Sequence, residues 1–123
     1  MTWKLTSDRP IYIQLVEKLQ LDIITGIYRP GEKLPSVRDL ASEASVNPNT
    51  MQKALTELER GGLVYTQRTA GRFVTDDQTL IRHIRMELAA SHIREFISTM
   101  RQFGMSDHEI LNLIEEIMKE EIK

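Results

Sequence analysis

Cysteine is absent from the 123 residues. Its absence excludes disulfides, thiolate zinc sites, iron–sulfur clusters and cysteine nucleophiles. Long apolar runs are absent as well. No stretch of 18 consecutive apolar residues occurs, which excludes a membrane-spanning helix. The start, Met1-Thr-Trp-Lys-Leu5, carries no apolar signal-peptide core, so a cytoplasmic chain is expected. The six glycines build no phosphate-cradling loop, and no nucleophile elbow or His-Glu-x-x-His metal framework occurs. These gaps argue against an enzyme, a metal site or a bound cofactor.

Hydrophobic residues at 41% and charged residues at 28% sit near the globular average, so a packed core is expected. The net charge of −2 speaks against a protein that binds nucleic acid by phosphate neutralisation alone. It is unevenly spread. Residues 1–75 hold 10 basic and 8 acidic side chains, whereas residues 76–123 hold 6 and 10. This asymmetry predicts two parts with different tasks, divided after Thr75.

Helical spacing of Tyr12, Leu15, Val16, Leu19 and Ile23 predicts a first helix starting near Pro10 and closed by Gly26. Ser36 is placed to cap a short second helix by accepting from the Asp39 N–H, with Val37, Leu40, Ala41 and Ala44 inward. Ser45-Val-Asn47 breaks the pattern. Asn47 caps a third helix with Pro48 at its first position. Met51, Ala54, Leu55 and Leu58 face inward there, and Asn49, Thr50, Gln52, Lys53 and Thr56 outward. Gly61-Gly62 stops it. From Leu63 the period becomes two: a strand to Gln67, a turn at Arg68–Gly71 and a strand over Arg72–Thr75. A long helix follows, from Gln78 to about Phe103. Gly104 ends it, and Ser106 with Glu109 forms a capping box for a last helix, with Met105 and Ile110 as its hydrophobic staple.

Two short helices around a three-residue turn, the second with an outward polar face, form a helix-turn-helix plan. The hairpin behind them makes it winged. The major groove admits such a helix, and Asn, Gln, Thr and Lys match base edges and phosphates. The fold expected is therefore mostly α with a small β-hairpin: a winged helix-turn-helix domain over 1–75 and a two-helix tail over 76–123.

Four segments carry a closer likeness. They are Pro10-Ile-Tyr-Ile-Gln14, the run Gly26-Ile-Tyr-Arg-Pro-Gly-Glu-Lys-Leu-Pro-Ser-Val-Arg-Asp-Leu-Ala41, the run Val46-Asn-Pro-Asn-Thr-Met-Gln-Lys through Val64, and Gly71-Arg-Phe-Val74. Together they resemble the GntR family of bacterial transcription regulators. The short helical remainder and the Asn47-Pro-Asn-Thr50 helix start resemble its YtrA-like subfamily. The resemblance implies a repressor that binds a double-stranded DNA operator as a homodimer, on an inverted repeat. It implies DNA contacts at Arg38, Asn47, Asn49, Thr50, Gln52 and Lys53. The wing reads Thr69-Ala-Gly-Arg-Phe-Val74 where the family has Gly-Lys-Gly-Thr-Phe-Val. That departure shifts the expected wing contacts to Arg68 and Arg72.

The tail's apolar stripe comprises Ile81, Ile84, Leu88, Phe96 and Met100, continued on the last helix by Ile114 and Ile117. Two helices this short cannot bury such faces alone, so a dimer core is expected. A small-molecule effector between the tail helices is the alternative use of the same surface. His83, His92 and His108 read as surface residues, because no third ligand converges with them. Trp3 is expected to pin the N-terminal arm to the body.

Overall fold

The backbone at Pro10, with φ −53° and ψ 135°, is extended and hands the chain into α1 (Ile11–Ile24). A computed structural model describes residues 3–122 of the chain. Met1 and Thr2, where the leaderless start was read, lie outside the described residues. Leu15, Leu19 and Ile23 form the buried face of α1. Past its end Gly26 takes φ +85°, the left-handed geometry that only glycine adopts without strain. The Tyr28 N–H then reaches back to the Asp22 carbonyl at 3.1 Å. Asp22 is itself buried, and its carboxylate accepts from Lys18 Nζ at 2.9 and 3.1 Å.

Ser36 caps α2 (Val37–Ala44), its hydroxyl accepting from the Asp39 N–H at 3.1 Å. Ser45 closes α2 with φ +57° and ψ +46°, an uncommon conformation for a side-chain-bearing residue. The chain thereby turns into α3 (Pro48–Arg60). Asn47 caps this helix, its side-chain oxygen accepting from the Asn49 N–H at 2.7 Å. Leu40, Ala41, Ala44, Met51, Ala54, Leu55 and Leu58 close the core against α1. Each fully buried leucine contributes roughly 1.5–3 kcal/mol of transfer free energy.

The wing differs from expectation by one residue at each end. Leu63 N–H donates to the Leu58 carbonyl at 3.1 Å, closing the turn that follows α3, so β1 is Val64–Gln67. Ala70 N–H donates to Gln67 C=O at 3.0 Å, so the turn closes early and β2 is Gly71–Val74. The strands pair antiparallel, from Val64 with Val74 to Gln67 with Gly71. A third extended piece, which Pro35 imposes on Leu34, lies along the far edge of β2, a pairing that no local signal announces. Lys33 bridges Phe73, Leu34 N–H donates to Arg72 C=O at 2.9 Å, and Val74 N–H donates to Glu32 C=O at 2.8 Å. Gly71 has φ +112°, and a Cβ there would stand 3.0 Å from Lys33 Cε. Glycine is thus required where the wing meets this third piece.

Trp3 is 7% exposed and joins the core. Gln14 holds the arm that carries Trp3. Its amide donates to the Thr6 and Arg9 carbonyls at 2.8 and 2.9 Å, and its oxygen accepts from Thr6 N–H at 2.8 Å.

Asp77 caps α4 (Gln78–Gln102), accepting from Leu80 N–H at 3.1 Å. The chain divides into two compact units, Met1–Ile84 and Arg85–Lys123. The division falls later than Thr75, for a physical reason: Ile81 and Ile84 pack on the core of the first unit. These two residues, expected at a dimer face, are partly buried against that core. In the second unit Gly104 has φ +84°, and α5 (Asp107–Ile122) starts with the expected capping box. Glu109 accepts from Ser106 N–H at 2.9 Å, and Ser106 Oγ accepts from Glu109 N–H at 3.2 Å. The backbone bond from Ser106 holds the Glu109 carboxyl below its ordinary range.

Candidate nucleic-acid interface

Helix α3 buries one face and presents the other. Met51, Ala54, Leu55 and Leu58 lie in the core, while Asn49, Gln52, Lys53 and Thr56 are exposed and Thr50 is half-buried. The period of 3.6 residues enforces this division. Asn47 is exposed at the helix start. Its oxygen is engaged by the Asn49 N–H, which leaves its amide NH₂ outward. Thr56 Oγ1 donates to the Gln52 carbonyl at 2.9 Å, so the threonine hydroxyl is turned inward along the helix. The Lys53 ammonium stands 3.8 Å from the centroid of the Tyr12 ring.

Two arginines flank α3 as exposed cations. Arg38 lies on α2 and Arg68 at the wing turn. Among the described residues neither has an ion-pair partner, so both remain available to an anionic ligand. Arg72 is differently placed. Its side chain is 19% exposed, and its Nε lies 3.7 Å from Glu59 Oε1. The same carboxylate oxygen accepts from Thr66 Oγ1 at 2.7 Å. Glu59 therefore ties the end of α3 to both strands of the wing. The sequence reading missed Glu59. The available signal was its place one turn before Gly62, opposite the polar face of the hairpin.

Within the second unit most apolar side chains remain at least partly open. Ile93, Phe96, Ile97, Ile110, Leu111 and Ile114 line a groove of about 600 Å³. Arg101 closes one side, with Nε and Nη2 on the Asp107 carboxylate at 3.0 and 3.2 Å. Ile110 is buried. Leu88, Met100 and Ile114 are half-buried, and Phe96 and Ile117 are 44% and 46% exposed. Met86 and Met118 lie open as well. No helix among the described residues is long and apolar enough to cross a membrane.

This arrangement has close counterparts. Residues 11–74 match the family described as bacterial regulatory proteins, gntR family. The HTH-type transcriptional repressor YtrA of Bacillus subtilis is 34% identical over 112 residues, covering 90% of this chain and 86% of that protein. A GntR family transcriptional regulator from Listeria monocytogenes has a solved structure that superposes with a TM-score of 0.86. It is 36% identical and covers 91% of this chain and 98% of that one. The AraR DNA-binding domain, solved in complex with operator ORX1, superposes with a TM-score of 0.56 at 26% identity. It covers 61% of this chain and 95% of its own. A winged helix-turn-helix with an outward polar α3, matched over both its units by such regulators, is a DNA-binding transcription regulator; the chain belongs to the gntR family of bacterial regulatory proteins.

Proposed function

We propose that the chain is a homodimeric repressor that occludes a promoter by binding an inverted-repeat operator. The observation that carries this reading is the polar outer face of α3, with Asn49, Gln52 and Lys53 open to a ligand between the cations Arg38 and Arg68. In this reading α3 enters the major groove, where amide and ammonium groups discriminate base edges. Asn47, Thr50 and Arg38 engage the backbone beside it and fix the register. Arg68 is the outward cation of the wing. Arg72 supports the wing from beneath through Glu59. Two copies, joined through their second units, place two reading helices about one helical turn apart on one face of the duplex. The cytoplasm is the compartment where such an operator is met.

The occupant of the second unit's open face is a second copy of the chain. A small effector in the groove would cover Phe96 and Ile97 but leave Met86, Ile117 and Met118 in water. A partner helix offers a longer apolar face than a small molecule does, and twofold pairing is the commonest arrangement in soluble oligomers.

Two measurements test the two halves of this reading. Footprinting on genomic DNA should give discrete sites rather than a smear. On such a site, Lys53→Ala should weaken binding by about 1–3 kcal/mol if the ammonium reads a base edge. If it touches phosphate alone, every sequence should weaken alike and the salt slope should fall by about one unit. Unchanged affinity for all sequences removes Lys53 from the interface.

For assembly, Phe96→Lys is the informative change. Phe96 is 44% exposed in the single chain, so a lysine there costs little within one copy. Across a dimer core the same ammonium would be buried without a partner, at a cost of several kcal/mol. Sedimentation should show folded monomers. A dimer of unaltered stability would exclude this face from the contact.

A further inference from the structure

Lys53 is the cation at the middle of the outward face of α3, with Arg60 at its end, and its surroundings are unusual for a surface lysine. The residue four positions on, Glu57, is the partner that helical geometry offers it. Glu57 is taken instead by Arg60, whose Nη1 lies 2.7 Å from its carboxylate. Among the described residues Lys53 has no carboxylate within ion-pair distance. Its ammonium rests over Tyr12 of α1, 3.8 Å from the ring centroid. Tyr12 is half-buried, and its helix packs along α3.

We infer that Tyr12 is a positioning residue for DNA recognition: its ring face holds the Lys53 ammonium in place without neutralising it. This rests on the reading of Lys53 as a DNA contact. The physical distinction lies between the two kinds of partner. A carboxylate orients a lysine but competes with phosphate or guanine for its charge. A ring orients it through its quadrupole, leaves the full positive charge, and keeps the remaining N–H donors outward. A free lysine chain carries about 2 kcal/mol of rotamer entropy, part of which is lost on contact with DNA. The ring removes part of that freedom before DNA arrives, so less is lost on binding. The Arg60–Glu57 pair supports the arrangement by keeping the competing carboxylate occupied.

The test is a double-mutant cycle on the full-length protein, using a duplex selected from genomic DNA by the unaltered chain. Tyr12→Phe keeps the ring face and should retain the affinity. Tyr12→Leu keeps bulk but lacks the quadrupole, and should weaken binding roughly two- to five-fold, the size of a surface cation–π contact. In a Lys53→Met background, Tyr12→Leu should cause no further loss. Proton NMR of the free protein supplies a second readout. The Lys53 ε-methylene protons should be shifted upfield by the ring current, and the shift should persist in Tyr12→Phe and vanish in Tyr12→Leu. Equal losses from Tyr12→Leu in both backgrounds would overturn the proposal, because the ring would then act through packing alone. Tighter binding by Tyr12→Leu would overturn it too, because the ring would then withhold the ammonium. If Lys53→Met has no effect, the ring's role falls with the lysine contact. The reading of α3 survives that outcome provided Asn49→Ala or Gln52→Ala still weakens binding.

Discussion

A fragment ending at Ile84 should fold, remain monomeric and bind a full operator roughly 10²- to 10⁴-fold more weakly than the intact chain, the gain that linked sites typically supply. The endpoint follows from packing. Ile81 and Ile84 lie on the core of the first unit, and Leu80 reaches within 3.1 Å of a Cβ position at Gly62. A cut at Thr75 would strip these side chains and uncover the core. A cut after Ile84 removes the open apolar faces while leaving α3 and the wing intact. Footprinting both proteins on one operator decides the matter. The intact chain should protect two half-sites together, and the fragment should protect each independently at much higher concentration. Equal protection at equal concentration would show that the second unit does not join the two readers.

The second large effect is expected at Leu55. This side chain is 1% exposed at the centre of the inner face of α3. Leu55→Ala removes buried carbon and leaves a cavity, a change that costs about 2–5 kcal/mol. At fixed protein concentration the unfolding midpoint should fall on the order of 10 °C or more. The outer face of α3 is untouched by this change, so operator affinity well below the midpoint should persist. A variant that melts within a degree or two of the parent would contradict the packing of α3 on α1 described above.

The features legible in the sequence are those whose partners lie within one turn of helix. The Ser36 and Asn47 caps, the left-handed Gly26 and the Ser106–Glu109 box each depend on residues two to four positions apart. Side-chain type and spacing suffice to place them. The inward and outward faces of α3 were legible for the same reason. The features without a local signal depend on distant partners. The pairing of Lys33 with Phe73 joins segments separated by α2 and α3, and no local signal marks it. Ile81 and Ile84 follow the helical period of the tail stripe, but a period assigns a residue to a face without naming what covers that face. Arg72 stands with Arg68 as an expected wing contact because the wing motif departs from the family's pattern, and that motif does not show what else Arg72 meets. The strand register sets Arg72 opposite Thr66, on the side where Glu59 arrives from α3.

The wing is held from two directions. Glu59 fastens it to the end of α3, and the segment ending at Leu34 lines its other edge through backbone bonds. Its distance from the reading helix is therefore fixed, and the duplex must supply any adjustment. With α3 and Arg68 docked as proposed, a groove of unsuitable width has to be compressed or opened, and the work depends on the stiffness of the base steps between the two contacts. Base pairs that no side chain touches then enter the affinity through their elasticity. On the proposed docking, the operator preference extends by that route beyond the bases that face α3.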